Sequence, residues 1–154
     1  MTYSDESVAA AIEQHFEPVQ INTQDGTSAT AALVARFRQV WTPDLRVLSD
    51  GGDELHGWSG YLPPDEFLPK LLAARANALM RLARDEEAAV AYSTIVESFP
   101  NSAVAAEASY YGAIAAYRHS HDPADLLGGW GRLPVDYPDS IWRVKQSFIE
   151  QTEN

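Results

Sequence analysis

The chain of 154 residues contains no cysteine. That excludes structural disulfides, thiolate metal ligands and thiol nucleophiles within it. Basic residues are scarce: 11 Lys and Arg stand against 22 Asp and Glu, a formal net charge of −11. Such a surface repels phosphate backbones and anionic lipid, so neither a nucleic-acid nor a membrane partner is expected. Long apolar runs are missing as well, and none approaches the ~20 residues needed to cross a bilayer. The opening stretch MTYSDESVAAAIEQHF has no basic segment and no small-residue cleavage site, so it does not read as a signal peptide. The expected location is cytoplasmic. What remains is a globular composition, 45% hydrophobic and 21% charged, which fits one ordinary domain or two small ones rather than a disordered chain.

The first half mixes periods. Ser4 is placed to cap a helix whose first turn carries Asp5 and Glu6, with Val8, Ile12 and Phe16 along one face. Phe16–Asn22 alternates and predicts a short strand, pushed toward an edge by Pro18. After a turn at Gln24-Asp25-Gly26, Thr27 or Ser28 caps a second helix with Leu33, Phe37 and Val40 facing inward. Leu45–Leu48 and Glu54–Tyr61 predict two strands around an Asp50-Gly51-Gly52-Asp53 hairpin turn. Pro63-Pro64 then opens a helix.

From Glu66 onward the period is helical. Stripes run through Leu68, Leu72, Ala76, Leu79 and Ala83, and then through Tyr92, Ile95, Val96 and Phe99. Further stripes include Tyr110, Ala113, Ile114 and Tyr117, then Leu126, Leu127, Trp130 and Leu133. Ile141, Val144 and Phe148 form the last, interrupted by Lys145. Breaks fall at Arg84-Asp85, Phe99-Pro100-Asn101, Ser120-Asp122-Pro123 and Tyr137-Pro138-Asp139, spacings that suit short antiparallel helix pairs. The segment Glu97–Ser102 recurs as Val135–Ser140, 38 positions later, with Tyr92 matching Trp130, Ile95 matching Leu133 and Tyr110 matching Phe148. A period of this size is that of helix-turn-helix arrays. Pro134 departs from it and predicts a kink or an early helix end.

These elements carry a resemblance. His15–Asn22, the Thr42-Pro43 turn, the Gly51-Gly52 hairpin and Gly60-Tyr61-Leu62-Pro63-Pro64 fall in the order seen in thioredoxin-like domains. The segment after Glu66 resembles the tetratricopeptide-like tail of some bacterial thioredoxin-like proteins. The resemblance implies that Pro43 is a cis proline and that Thr42 offers its backbone to a substrate. Asp44 stands where the family usually has a small β-branched residue. It also implies a Cys-x-x-Cys pair and a first, central strand upstream of Met1, so that Met1 is expected to be an internal methionine of a longer protein. Without that strand, the Phe16–Asn22 strand is expected to slide over to Leu45–Leu48, or another chain such as a second copy to fill the gap, or the domain to be incomplete.

Other motifs weigh less. His119-x-His121-Asp122 is a helix end rather than a metal site, because no further ligand cluster lies nearby. Glu54 and His56 suit a cross-strand or solvated pair better than acid–base work. Gly57-Trp58-Ser59-Gly60 lacks the G-x-S-x-G spacing. Gly128-Gly129-Trp130-Gly131 lacks a phosphate loop's Lys-Ser/Thr, and its glycines are expected to let Trp130 approach a neighbouring helix. Tyr110, Tyr117 and Trp130 are candidates for a peptide groove, although aromatics at helical spacing more often form core.

The sequence therefore predicts an α+β to mostly α protein. Residues 1–72 would form a partial thioredoxin-like α/β domain and residues 73–154 antiparallel helix pairs of helical-repeat type. Its expected role is protein or peptide binding through Trp41, Thr42 and Pro43, with no catalytic residue, metal or cofactor. The alternative is a fragment of a thiol–disulfide oxidoreductase.

Overall fold

The computed structural model describes residues 2–149. They form a mixed, mostly helical fold of two compact units dividing between Pro64 and Asp65.

In the first unit, a short 3-10 turn at Thr2–Ser4 precedes helix α1, Glu6–His15. The cap is Asp5 rather than the expected Ser4: its carboxylate accepts from the backbone N–H groups of Ser7 at 3.0 Å and Val8 at 3.2 Å. A charged acceptor at this point also complements the helix dipole, while Ser4 is taken up by the preceding turn. The Thr2 hydroxyl donates to the Leu62 carbonyl, tying together the two ends of the unit. The strand expected over Phe16–Asn22 does not form. The segment leaves α1 in extended backbone at Phe16, but it joins no sheet, and Val19 is among the most exposed apolar side chains. Alternation alone does not hold a strand; it needs a partner ladder, and Pro18 removes one donor from any ladder it could join.

Helix α2 spans Ser28–Arg36, capped by the Thr27 hydroxyl, which accepts from Thr30 N–H. It ends early. Arg38 adopts the left-handed conformation (φ 50°), and Gln39 N–H reaches back to the Val34 carbonyl, closing a Schellman-type terminus. Val40 therefore does not lie on the helix, and instead of facing inward it is exposed.

Strands β1 (Asp44–Leu48) and β2 (Glu54–Ser59) pair antiparallel, with Leu45 opposite Trp58, Arg46 opposite Gly57 and Val47 opposite His56. The turn between them uses Gly52 at φ 83°, a conformation open to glycine at little cost. Among the described residues, β1 and β2 pair only with each other.

In the second unit, α3 (Pro64–Arg81) runs without interruption through residues 72 and 73. It buries two faces rather than the single expected stripe: Ala73, Ala76 and Leu79 on one, Phe67, Leu71 and Ala78 on the other. Helix α4 (Asp85–Ser98) follows a three-residue turn and α5 (Ala105–Ser120) a longer one. Glu66, early in α3, accepts from Ala103 N–H, and Arg118, late in α5, donates to the Met80 carbonyl near the end of α3. Arg118 also pairs with Asp85 at the start of α4. So α3 and α5 run the same way and α4 returns between their ends. Their shared core is rich in alanine around Tyr92 and Ile95, both fully buried. Small side chains let the helix axes approach closely.

Helix α6 (Pro123–Gly131) starts from an Asp122 cap and is followed by α7 (Leu133–Asp136) and α8 (Ile141–Gln146). The interruption at Arg132 is the break expected from Pro134, which cannot donate to the carbonyl four residues back. Helix α4 begins at Asp85 and α6 at Pro123; α4 ends at Ser98 and α7 at Asp136. Both pairs lie 38 positions apart.

The face of α8 differs from expectation. Ile141 and Val144 point outward, while Trp142 and Gln146 point inward; Phe148, beyond the helix, meets the Trp130 ring edge-on at 5.8 Å. The Trp142 ring meets both Tyr110 and Tyr111 at 5.3 Å. Burying the larger aromatic surface selects this rotation.

Candidate functional site

The loop Gln39–Pro43 sets two exposed apolar side chains next to each other. Val40 is 82% and Trp41 69% exposed. Gln39, Val40, Trp41 and Thr42 border an open hollow of about 310 Å³. The Thr42–Pro43 peptide bond is cis. The Gln39 side-chain amide donates to the Trp41 carbonyl at 3.3 Å. The α2 terminus upstream and the hairpin downstream fix both ends of the loop, for Gly60 N–H donates to the Pro43 carbonyl at 2.9 Å.

Asp44, directly after this loop, is bound internally. Arg46 holds it through two hydrogen bonds, Nε to Oδ1 at 2.6 Å and Nη2 to Oδ2 at 3.0 Å. The same guanidinium reaches Glu54 across the hairpin at 2.7 Å and stands 6.0 Å from the Phe37 ring. These partners, hydrogen bonding to Asp44 above all, raise its pKa further above the ordinary arginine value. Gly57 lies opposite, and a Cβ there would come within 2.8 Å of the Arg46 side chain. The glycine therefore makes room for the guanidinium. Asp44 and Glu54 both serve the hairpin through Arg46. Sequence reading missed Arg46, whose only signal was an acid two positions earlier, Asp44, on the same face of the strand.

The second unit does not open a groove at its candidate residues. Trp130 is buried, stacks on Tyr110 with centroids 4.9 Å apart, and donates its indole N–H to the Tyr110 carbonyl. Tyr110 also meets Tyr111 edge-on at 5.4 Å. Of Tyr110, Tyr117 and Trp130, only Tyr117 is exposed. The first and last are core partners. A polar hollow of about 360 Å³ lies where α3, α4 and α5 end or begin. Two ion pairs line it, Arg84 with Glu87 at 2.6 Å and Arg118 with Asp85 at 3.1 Å. His121 ends α5 in the left-handed conformation and Asp122 caps α6, so these two of the three residues that suggested metal have structural roles.

Comparison with family models, curated proteins and solved structures gives no match. No helix among the described residues is long and apolar enough to cross a membrane.

Proposed function

We propose that this chain is a non-catalytic interaction protein: a partial thioredoxin-like unit followed by a tetratricopeptide-like helical tail. The first unit presents Trp41-Thr42-Pro43 to an extended peptide. The observation that carries the reading is the exposure of Val40 and Trp41 on a loop anchored at both ends. Large side chains so placed give a peptide apolar anchors with little ordering cost. Beside the loop, β1 pairs among the described residues with β2 on one edge, and a peptide strand can add to the other through main-chain hydrogen bonds. The repeat reading is supported by the 38-position spacing of α4 and the α6–α7 pair.

The test is selection of a phage-displayed random peptide library on the full chain, followed by titration of the selected peptides. Trp41→Ala and Val40→Ser should weaken them strongly. Selected peptides that bind both variants as well as the parent would overturn the assignment of the loop. The competing reading, a segment of a thiol–disulfide oxidoreductase, requires a thiolate that this chain does not carry. Insulin reduction by an N-terminally extended form, and not by this chain, would favour it.

A further inference from the structure

The first unit keeps its positive charge in one place. Its only Lys and Arg residues are Arg36, Arg38 and Arg46, in a chain of net charge −11. They stand on either side of the loop that carries Val40 and Trp41. Arg46 is committed to Asp44 and Glu54. The other two have no carboxylate partner among the described residues. Arg36 donates to the Gly52 carbonyl and stands 5.1 Å from the Phe37 ring centroid. The Arg38 side chain is exposed and makes no hydrogen bond or ion pair with any described residue.

Arg38 also stands where an arginine is costly. Its backbone is left-handed at φ 50°, where glycine would escape a crowding of about 1 kcal/mol or more. A cation at a helix C-terminus is favoured by the dipole, but Arg36, in the last turn of α2, already supplies one. The fold therefore gains little from the second guanidinium. It immediately precedes the four residues that border the hollow, the exposed Val40 and Trp41 among them.

These side chains define a ligand chemistry. A guanidinium pairs with a carboxylate through two parallel hydrogen bonds, and exposed valine and tryptophan cover an apolar side chain. We infer that the loop selects acidic peptides, those with Asp or Glu flanking an apolar residue: Arg38 pairs with the carboxylate, while Val40 and Trp41 pack on the apolar neighbour. The inference rests on the reading of Trp41-Thr42-Pro43 as a peptide site and names the ligand class of that site. The acidic remainder of the chain repels such a peptide, so the guanidinium directs it to the loop. A nucleic acid would also meet Arg38, but its row of phosphates would face the same acidic surface.

Phage-displayed random peptides selected on the full chain should be enriched in Asp or Glu beside an aromatic or aliphatic residue. Peptides selected on Arg38→Gln should lack that enrichment. In titrations of a selected peptide, Arg38→Gln should weaken binding by about threefold to tenfold and Arg38→Lys by less. Arg38→Gly, which suits the left-handed backbone, should weaken it as Arg38→Gln does, so that a folding defect does not mimic the effect. Arg81→Gln, which removes one charge from an exposed position at the end of α3, should leave binding unchanged. Replacing the peptide's acid by its amide should cost the parent the same factor and cost Arg38→Gln nothing further.

Selected peptides without acid enrichment, or bound equally by Arg38→Gln, would overturn the inference. So would a single-stranded oligonucleotide that displaces the peptide, or self-association of the chain that Trp41→Ala abolishes, since a second copy would then cover the loop. Trp41→Ala separates the two failures. If it weakens peptides that are indifferent to Arg38, the charge inference falls alone; if it leaves every selected peptide bound as before, the peptide-site reading falls with it.

Discussion

Gly129 of α6 lies so close to Ala113 of α5 that a Cβ built on the glycine would come within 2.5 Å of the alanine's own Cβ. This contact sets the distance between the two helices and lets Trp130 reach the Tyr110 ring and carbonyl. Helix propensity alone would favour alanine over glycine by about 1 kcal/mol. Here the clash must be relieved by helix separation, an overpacking cost of about 1–3 kcal/mol.

Gly129→Ala should therefore destabilise the second unit, while Gly128→Ala, with nothing within 4 Å of its added methyl, should stabilise it by about 1 kcal/mol. Ala113→Gly in the Gly129→Ala background should recover part of the loss through coupling of neighbouring sites. Urea denaturation followed by tryptophan fluorescence reads all three. Equal effects of the two alanine substitutions would show that the helices do not meet at Gly129.

This contact was legible in the sequence, because glycines beside a tryptophan in a helical stripe have few other uses. So were the hairpin turn, from Asp50-Gly51-Gly52-Asp53, and the bounds of α4, from Asp85 and Phe99-Pro100. Three features were not legible, each for a physical reason. Phe16–Asn22 has a strand's alternation, but pairing is a tertiary event that local pattern does not specify. Val40 leaves its helix because Arg38 takes a left-handed conformation usually signalled by glycine. Helix α8 has apolar periodicity on two faces, and only the aromatic cluster around Tyr110 decides between them. In the candidate site, the exposed loop at Trp41 was readable. The burial of Trp130 was not, since a groove wall and a core aromatic share one spacing.

Tyr92 is fully buried with its hydroxyl making no hydrogen bond among the described residues. Burying an unpaired hydroxyl costs about 1–3 kcal/mol, whereas the ring fills the core beside Tyr111. Tyr92→Phe should keep the packing and hold or raise stability near neutral pH. Burial also raises the tyrosine pKa above its ordinary value of 10.0, with Glu107 and Tyr111 adding to the effect. The unfolded chain then loses this proton first, so the stability tied to it is complete below about pH 10 and declines as pH rises through the folded-state value. The variant should show a shallower alkaline loss when urea curves are compared on either side of that pH. A marked loss of stability at neutral pH in Tyr92→Phe would reveal a hydrogen-bond partner for the hydroxyl.

Arg46 joins Asp44, Glu54 and the end of α2 at Phe37, whose carbonyl lies 3.4 Å from the guanidinium. The Asp44 side chain is only 7% exposed, so removing the arginine strands a mostly buried carboxylate. Arg46→Met should cost about 2–3 kcal/mol and speed amide exchange across Asp44–Leu48 and Glu54–Ser59. Adding Asp44→Leu should restore part of the loss, because the stranded charge is then gone. Undisturbed hairpin exchange in Arg46→Met would mean that the strands hold without this hub.

Ala83 closes α3 in the left-handed conformation at φ 57°, with Arg84 N–H bonded to the Leu79 carbonyl. This is the terminus at which glycine is favoured, because a Cβ crowds the following carbonyl by about 1 kcal/mol or more. Ala83→Gly should relieve that crowding and give a net gain of about 0.5–1 kcal/mol, after the entropy that glycine adds to the unfolded chain. The same substitution at Ala88, buried inside α4, should lose stability, because a helix interior gives glycine no such relief and the lost methyl leaves a void. Thermal melts of the two variants beside the parent should move in opposite directions. A fall in both would mean that the turn between α3 and α4 does not require a left-handed residue at position 83.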